Sequence, residues 1–123
     1  MSVLEKYKVR FHLHDILKIK TMSSTDGWLS AYVTSTSYNS SIAMDVLIAA
    51  CDYSIAGGEE ITPMDTEEMY MAEIGEKSTR IYRDIDVWGA GGATPDFELP
   101  TSDFREIVLG WKDYIESEKN KKK

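Results

Sequence analysis

The sequence predicts an α+β domain, an antiparallel β-sheet with one face covered by helices, including an amphipathic helix near the C-terminus. Three observations carry that prediction. "YKVRFHLH" (7–14) sets Tyr7, Val9, Phe11 and Leu13 against Lys8, Arg10, His12 and His14, the two-residue period of a half-buried strand. "WLSAYVTSTSY" (28–38) is rich in β-branched and aromatic residues, which suit a second strand. In the last quarter, Phe104, Ile107, Val108, Trp111, Tyr114 and Ile115 recur at helical spacing and form one apolar face.

The remaining elements follow in order. "ILKIK" (16–20) continues the first strand or pairs with it across a bend near Asp15, and "SSTDG" (23–27) has the Asp-Gly signature of a turn. "NSSIAMDVLIAACDYSIAGG" (39–58) reads as a helix, with Ser40 or Ser41 as cap and Gly57-Gly58 as stop, although Ile42, Met44, Val46 and Ile48 also alternate as a strand would. "MDTEEMYMAEIG" (64–75) is open in the same way. Asp65 and Glu68 form a capping-box-like pair for one or two helical turns, while Tyr70, Ala72 and Ile74 fit a strand. "TRIYRDIDVW" (79–88) is expected as a strand, with Ile81, Ile85 and Val87 on one face and Tyr82 and Trp88 on the other. A glycine loop and the short extended "FEL" lead to Pro100, after which Thr101 or Ser102 caps the last helix, with Asp103 and Glu106 at its positive end. Residues 1–118 make one domain, and the lysines of 119–123 are expected as a disordered basic tail.

The chain has 123 residues, 42% of them hydrophobic, enough for a single core. No apolar run approaches the roughly 18 residues of a membrane span. The start "MSVLEKYKVRF" lacks the apolar stretch of a signal peptide, and Cys51 is the single cysteine, so a cytoplasmic residence without disulfides is expected. The net charge is −7, and setting aside the four lysines of the tail leaves −11 on residues 1–118. Such a body repels nucleic acid and anionic lipid and attracts basic proteins.

Four constellations could carry chemistry. "GAGGATP" (89–95) lies between a strand and a helix, as a phosphate loop would. It breaks at Pro95, lacks Gly-Lys-Ser/Thr and is ringed by Asp84, Asp86, Asp96 and Glu98, so a connection or a recognition loop rooted at Trp88 is the better reading. His12 and His14 point to one face of a strand and could share a metal or small ligand; with the glycine loop of 89–95 they make the alternative reading, a small-molecule or metal-binding domain. Two histidines among Lys8 and Arg10 fall short of a zinc site, and no metal or other cofactor is assigned. Cys51 sits in apolar "IAACDYS" and behaves as a small hydrophobe rather than a nucleophile, and no G-x-S-x-G elbow is present, so no catalytic residues are assigned and no enzyme is expected. The fourth is the most distinctive: from Glu59 to Glu73, Glu59, Glu60, Asp65, Glu67, Glu68 and Glu73 occur without a basic residue, interleaved with Met64, Met69, Tyr70 and Met71. Carboxylates speed encounter with a basic surface, and Tyr and Met add adaptable contact area. Those six carboxylates, Tyr70 and Trp88 are the candidate partner-binding residues.

The β-rich start, the acidic middle and the closing "FELPTSDFREIVLGWKDYIESE" (97–118) together resemble small immunity proteins of bacterial polymorphic-toxin and contact-dependent inhibition systems. The resemblance implies a non-enzymatic, stoichiometric inhibitor of a cognate protein toxin, often a nuclease. It implies no particular site residues, because such families share architecture rather than a binding motif. The alternatives are the His12/His14 ligand-binding domain and a structural subunit that self-associates.

Overall fold

The computed structural model describes residues 2–38, 40–58 and 61–121. Ser2 opens the chain as a cap, its hydroxyl accepting from the Glu5 amide, and a single helical turn, α1 (Val3–Lys6), follows. The expected first strand therefore begins late, as β1 (Arg10–Leu13). Tyr7 is buried beneath the preceding turn, and Lys8 takes a left-handed φ of 54° that turns the chain. Strand β2 (Lys20–Ser23) pairs with β1 antiparallel, Phe11 opposite Met22, so the bend at Asp15 closes a hairpin. Phe11 stacks on Tyr114 at 5.2 Å between ring centroids.

The second expected strand is a helix, α2 (Gly27–Val33). Asp26 does not make a hairpin turn. Its carboxylate accepts from the amides of Trp28 and Leu29 at 2.9 and 3.0 Å, satisfying two of the donors a helix start leaves open. Leu29, Tyr32 and Val33 then share the buried face. A 3-10 turn (Thr36–Tyr38) leads to α3 (Ser41–Ile55), the helix expected there, with Ser40 capping it through the Ala43 amide. Met44, Leu47, Cys51 and Ser54 face inward. The chain leaves α3 through Gly57, whose φ of +82° suits glycine.

Strands β3 (Ile61–Asp65), β4 (Met71–Gly75), β5 (Ser78–Tyr82) and β6 (Phe97–Pro100) form a four-stranded antiparallel meander in chain order. Within 64–75 the strand alternative thus holds at both ends, where Met64 and Asp65 close β3 and Met71–Gly75 is β4. The Asp65/Glu68 pair starts no helix, because residues 66–69 are the β3–β4 turn, in which the Thr66 hydroxyl accepts from the Tyr70 amide and Met69 is left-handed at φ 70°. The strand expected over 79–88 is cut short. Asp84 caps α4 (Ile85–Gly89) through the Asp86 amide, so Ile85, Val87 and Trp88 are helical and leave the sheet.

The fold is α+β. Ala72, Ile74, Thr79, Ile81 and Leu99 line the inner face of the sheet, and α3 and α5 (Thr101–Lys121) cover it. Phe104, Ile107, Val108, Trp111 and Ile115 of α5 are buried, as their spacing predicts, and Tyr114 is half-buried. The helix continues past the expected end at 118 as far as Lys121; Lys122 and Lys123 lie outside the described residues. Thr101, expected as a cap, is instead fully buried and donates to the Gly75 carbonyl. No helix among the described residues is long and apolar enough to cross a membrane.

Candidate protein-binding surface

The acidic stretch is divided by the β3–β4 hairpin. Asp65 ends β3 and is exposed, and Glu67, Glu68 and Met69 are exposed in the turn. Thr66 is buried, and the Glu67 amide donates to the Ser37 hydroxyl at 2.9 Å, so the turn is tied to the segment after α2. Tyr70 turns inward instead. It is half-buried, and its ring meets Trp28 edge-on at 6.3 Å. Glu59 and Glu60 lie outside the described residues.

Glu73 and Trp88 are brought together, on the outer face of the sheet. The Trp88 indole N–H donates to Glu73 Oε2 at 2.8 Å, while Glu73 Oε1 faces Arg80 Nη1 at 3.3 Å. Arg80 also donates through Nε to Glu98 Oε2 at 2.9 Å, making a Glu73–Arg80–Glu98 ladder across three strands. The guanidinium and the Ser78 hydroxyl hold the Glu98 carboxyl below the usual carboxylate range. Glu73 is thus a positioning residue for Trp88, with its charge already balanced. The outward acidic display is the hairpin turn.

The structure adds residues that the sequence reading did not assign to this surface. The Ile85 amide donates to the Met69 carbonyl at 2.8 Å, which fastens the start of α4 to the hairpin turn. Asp86 and Val87, both exposed, thereby join Asp65, Glu67, Glu68 and Met69. The signal for this was Asp84 followed by Asp86, a helix cap with an acidic first turn inside what read as a strand. Trp28 borders the same region. It is partly exposed, with the Arg83 guanidinium 5.9 Å from its ring.

The glycine loop follows the C-terminal end of α4, where the helix dipole is negative, and β6 separates it from the start of α5. Gly91 and Gly92 take positive φ and, with Glu73, Tyr82 and Trp88, line a hollow. A carboxylate and a helix C-terminus make this a poor phosphate cradle. The loop closes firmly, for Asp96 accepts from the Arg83 amide and its own amide donates to Ile81.

His12 and His14 are exposed beside a hollow that Asp15 also lines. His12 Nε2 lies 3.2 Å from the Ser23 hydroxyl, and His14 Nδ1 accepts from the Leu17 amide at 3.0 Å. Among the described residues, no three His, Cys, Asp or Glu side chains are grouped to hold a metal ion. Cys51 is remote from this hairpin's surface, buried in α3, where burial above all, with Asp52 adding to it, pushes the thiol up to about 12. At neutral pH it is a thiol packed in the core, not a nucleophile.

Comparison with protein-family models, with curated proteins and with solved structures finds no match.

Proposed function

We propose that this chain is a non-enzymatic protein-binding inhibitor, an immunity protein that neutralises a cognate bacterial toxin by occluding a basic active-site surface of the kind nucleases offer to phosphate. The observation that carries this reading is the ridge made by the β3–β4 turn and the start of α4. There Asp65, Glu67, Glu68 and Asp86 are exposed together with the apolar side chains of Met69 and Val87, on two segments joined by the bond from the Ile85 amide to the Met69 carbonyl. Carboxylates and apolar side chains exposed on the same ridge supply both halves of a specific interface: long-range attraction sets the association rate, and desolvated apolar contact sets the dissociation rate. The resemblance of residues 97–118 to immunity proteins and the chain's net charge of −7 support the same reading.

The test begins with capture from the host lysate at low and moderate salt, followed by purification of the captured domain. The expected result is a basic domain whose toxic activity falls to zero at one equivalent of this protein. Glu67→Lys with Glu68→Lys should slow association by about tenfold or more and flatten its salt dependence, the behaviour of charges that steer encounter. Unchanged association kinetics in the double variant would overturn the assignment of this ridge.

A further inference from the structure

Helix α3 carries an apolar stripe that the core does not use. Ile42, Val46 and Tyr53 are 77%, 55% and 49% exposed, and Ala49 between them is exposed as well. Their spacing of four, three and four residues keeps them on one side of the helix, over a length of about 16 Å. Tyr53 is held in place, since its ring lies where a Cβ on Gly58 would have to sit.

The stripe is also electrically quiet. The only charged residues of α3, Asp45 and Asp52, lie along one flank, and each is taken by a cation from α5. Lys112 Nζ is 2.6 Å from Asp45, and Arg105 Nε is 2.6 Å from Asp52. The other flank is Ala43 and Ala50. Two copies of a protein of net charge −7 repel over most approaches, and a face whose carboxylates are already neutralised is where that repulsion is least.

We propose that this face pairs with a second copy of the chain, α3 against α3, antiparallel across a twofold axis. The stripe reads the same in both directions about its midpoint: residues 42 and 53 are equally far from it, as are 46 and 49. An antiparallel copy therefore sets Ile42 on Tyr53 and Val46 on Ala49, twice each, which is the self-complementarity an isologous interface requires. Ala49 beside the axis allows the helices to approach closely. The acidic ridge at the β3–β4 turn lies outside this seam, so the two surfaces serve different partners.

Sedimentation velocity of the full chain from about 1 to about 100 μM, the range in which weak homodimers populate, should show a monomer–dimer equilibrium. Added salt should not weaken it, because screening lowers the repulsion between copies. That sign is opposite to the one expected for capture of a basic partner. Val46→Glu, at an exposed helix position, should leave the far-ultraviolet circular dichroism unchanged and shift the dimer dissociation constant at least tenfold. Under oxidising conditions a mixture of Ile42→Cys and Tyr53→Cys chains should form the mixed disulfide in preference to either homodimer. A chain that stays monomeric throughout, a dimer untouched by Val46→Glu, or preferential self-crosslinking of Ile42→Cys would overturn the proposal.

Discussion

Thr101 shows how much a single hydroxyl can connect. It is fully buried at the junction of β6 and α5, donates to the Gly75 carbonyl at 2.6 Å and accepts from Thr79, also fully buried, at 2.9 Å. Two strands and the longest helix are joined there without charge. Thr101→Val keeps the shape, removes one donor from the Gly75 carbonyl and takes away the partner of the buried Thr79 hydroxyl, so stability in urea should fall by about 1–3 kcal/mol. Adding Thr79→Val removes that hydroxyl, and the double variant should cost less than the two single variants together. From the sequence, a threonine after Pro100 reads as a helix cap. Its real partner, Gly75, is contributed by another strand, and no local pattern announces such a bond.

Elements were legible where their periodicity ran long. Helix α5 spans six turns, and its apolar face was complete in the sequence; α3 was readable from Ser40 and the closing glycines. Segments decided by one aspartate were misread. Trp28, Tyr32 and Val33 have strand-like composition, yet Asp26 takes two amides and winds them into α2; Asp84 takes one, that of Asp86, and starts α4 inside 79–88. In α2 the cap and the burial of Leu29, Tyr32 and Val33 outweigh weak intrinsic preference; in α4, which buries no residue fully, the Asp84 cap and the bond from the Ile85 amide to the Met69 carbonyl do so. The β3–β4 turn offers a prediction at this scale. Met69 sits at φ 70°, a conformation costly for any side chain with a Cβ and open to glycine. Met69→Gly should leave the hairpin as stable as before or firmer by about 0.5–1 kcal/mol in thermal unfolding. If the exposed Met69 side chain contacts the toxin, the same variant should dissociate from it faster.

At the scale of the molecule, the acidic stretch was visible in the sequence, but its division was not. Glu73 and Arg80 are seven residues apart in the chain and become cross-strand partners only in the folded sheet. The buried tyrosines set a limit at high pH. Burial, with the Asp103 carboxylate beside it, pushes Tyr7 up to about 12, and burial also raises Tyr32 and Tyr38. In the unfolded chain these phenols ionise near 10, so above that pH the folded state holds more protons than the unfolded one. Their contribution to stability is complete below pH 10 and is lost as the pH rises toward 12. A pH series of urea melts, followed by tyrosinate absorbance, should show stability falling over that window, with phenol ionisation accompanying unfolding.

Tyr7 and Asp103, 96 residues apart in the chain, share a 2.7 Å hydrogen bond; Lys6 reaches the same carboxylate at 3.2 Å, and Phe11 stacks on Tyr114 a little further along. The meander from β3 to β6 needs only neighbouring strands, whereas α1 and the β1–β2 hairpin must wait for a helix almost a full chain length away. Closing so large a loop is slow, and what closes late tends to open early. The N-terminal hairpin acts as a clasp on an already assembled body. In hydrogen exchange its amides should be the first to give way, while the sheet beneath α3 and α5 keeps its protons until the whole molecule unfolds.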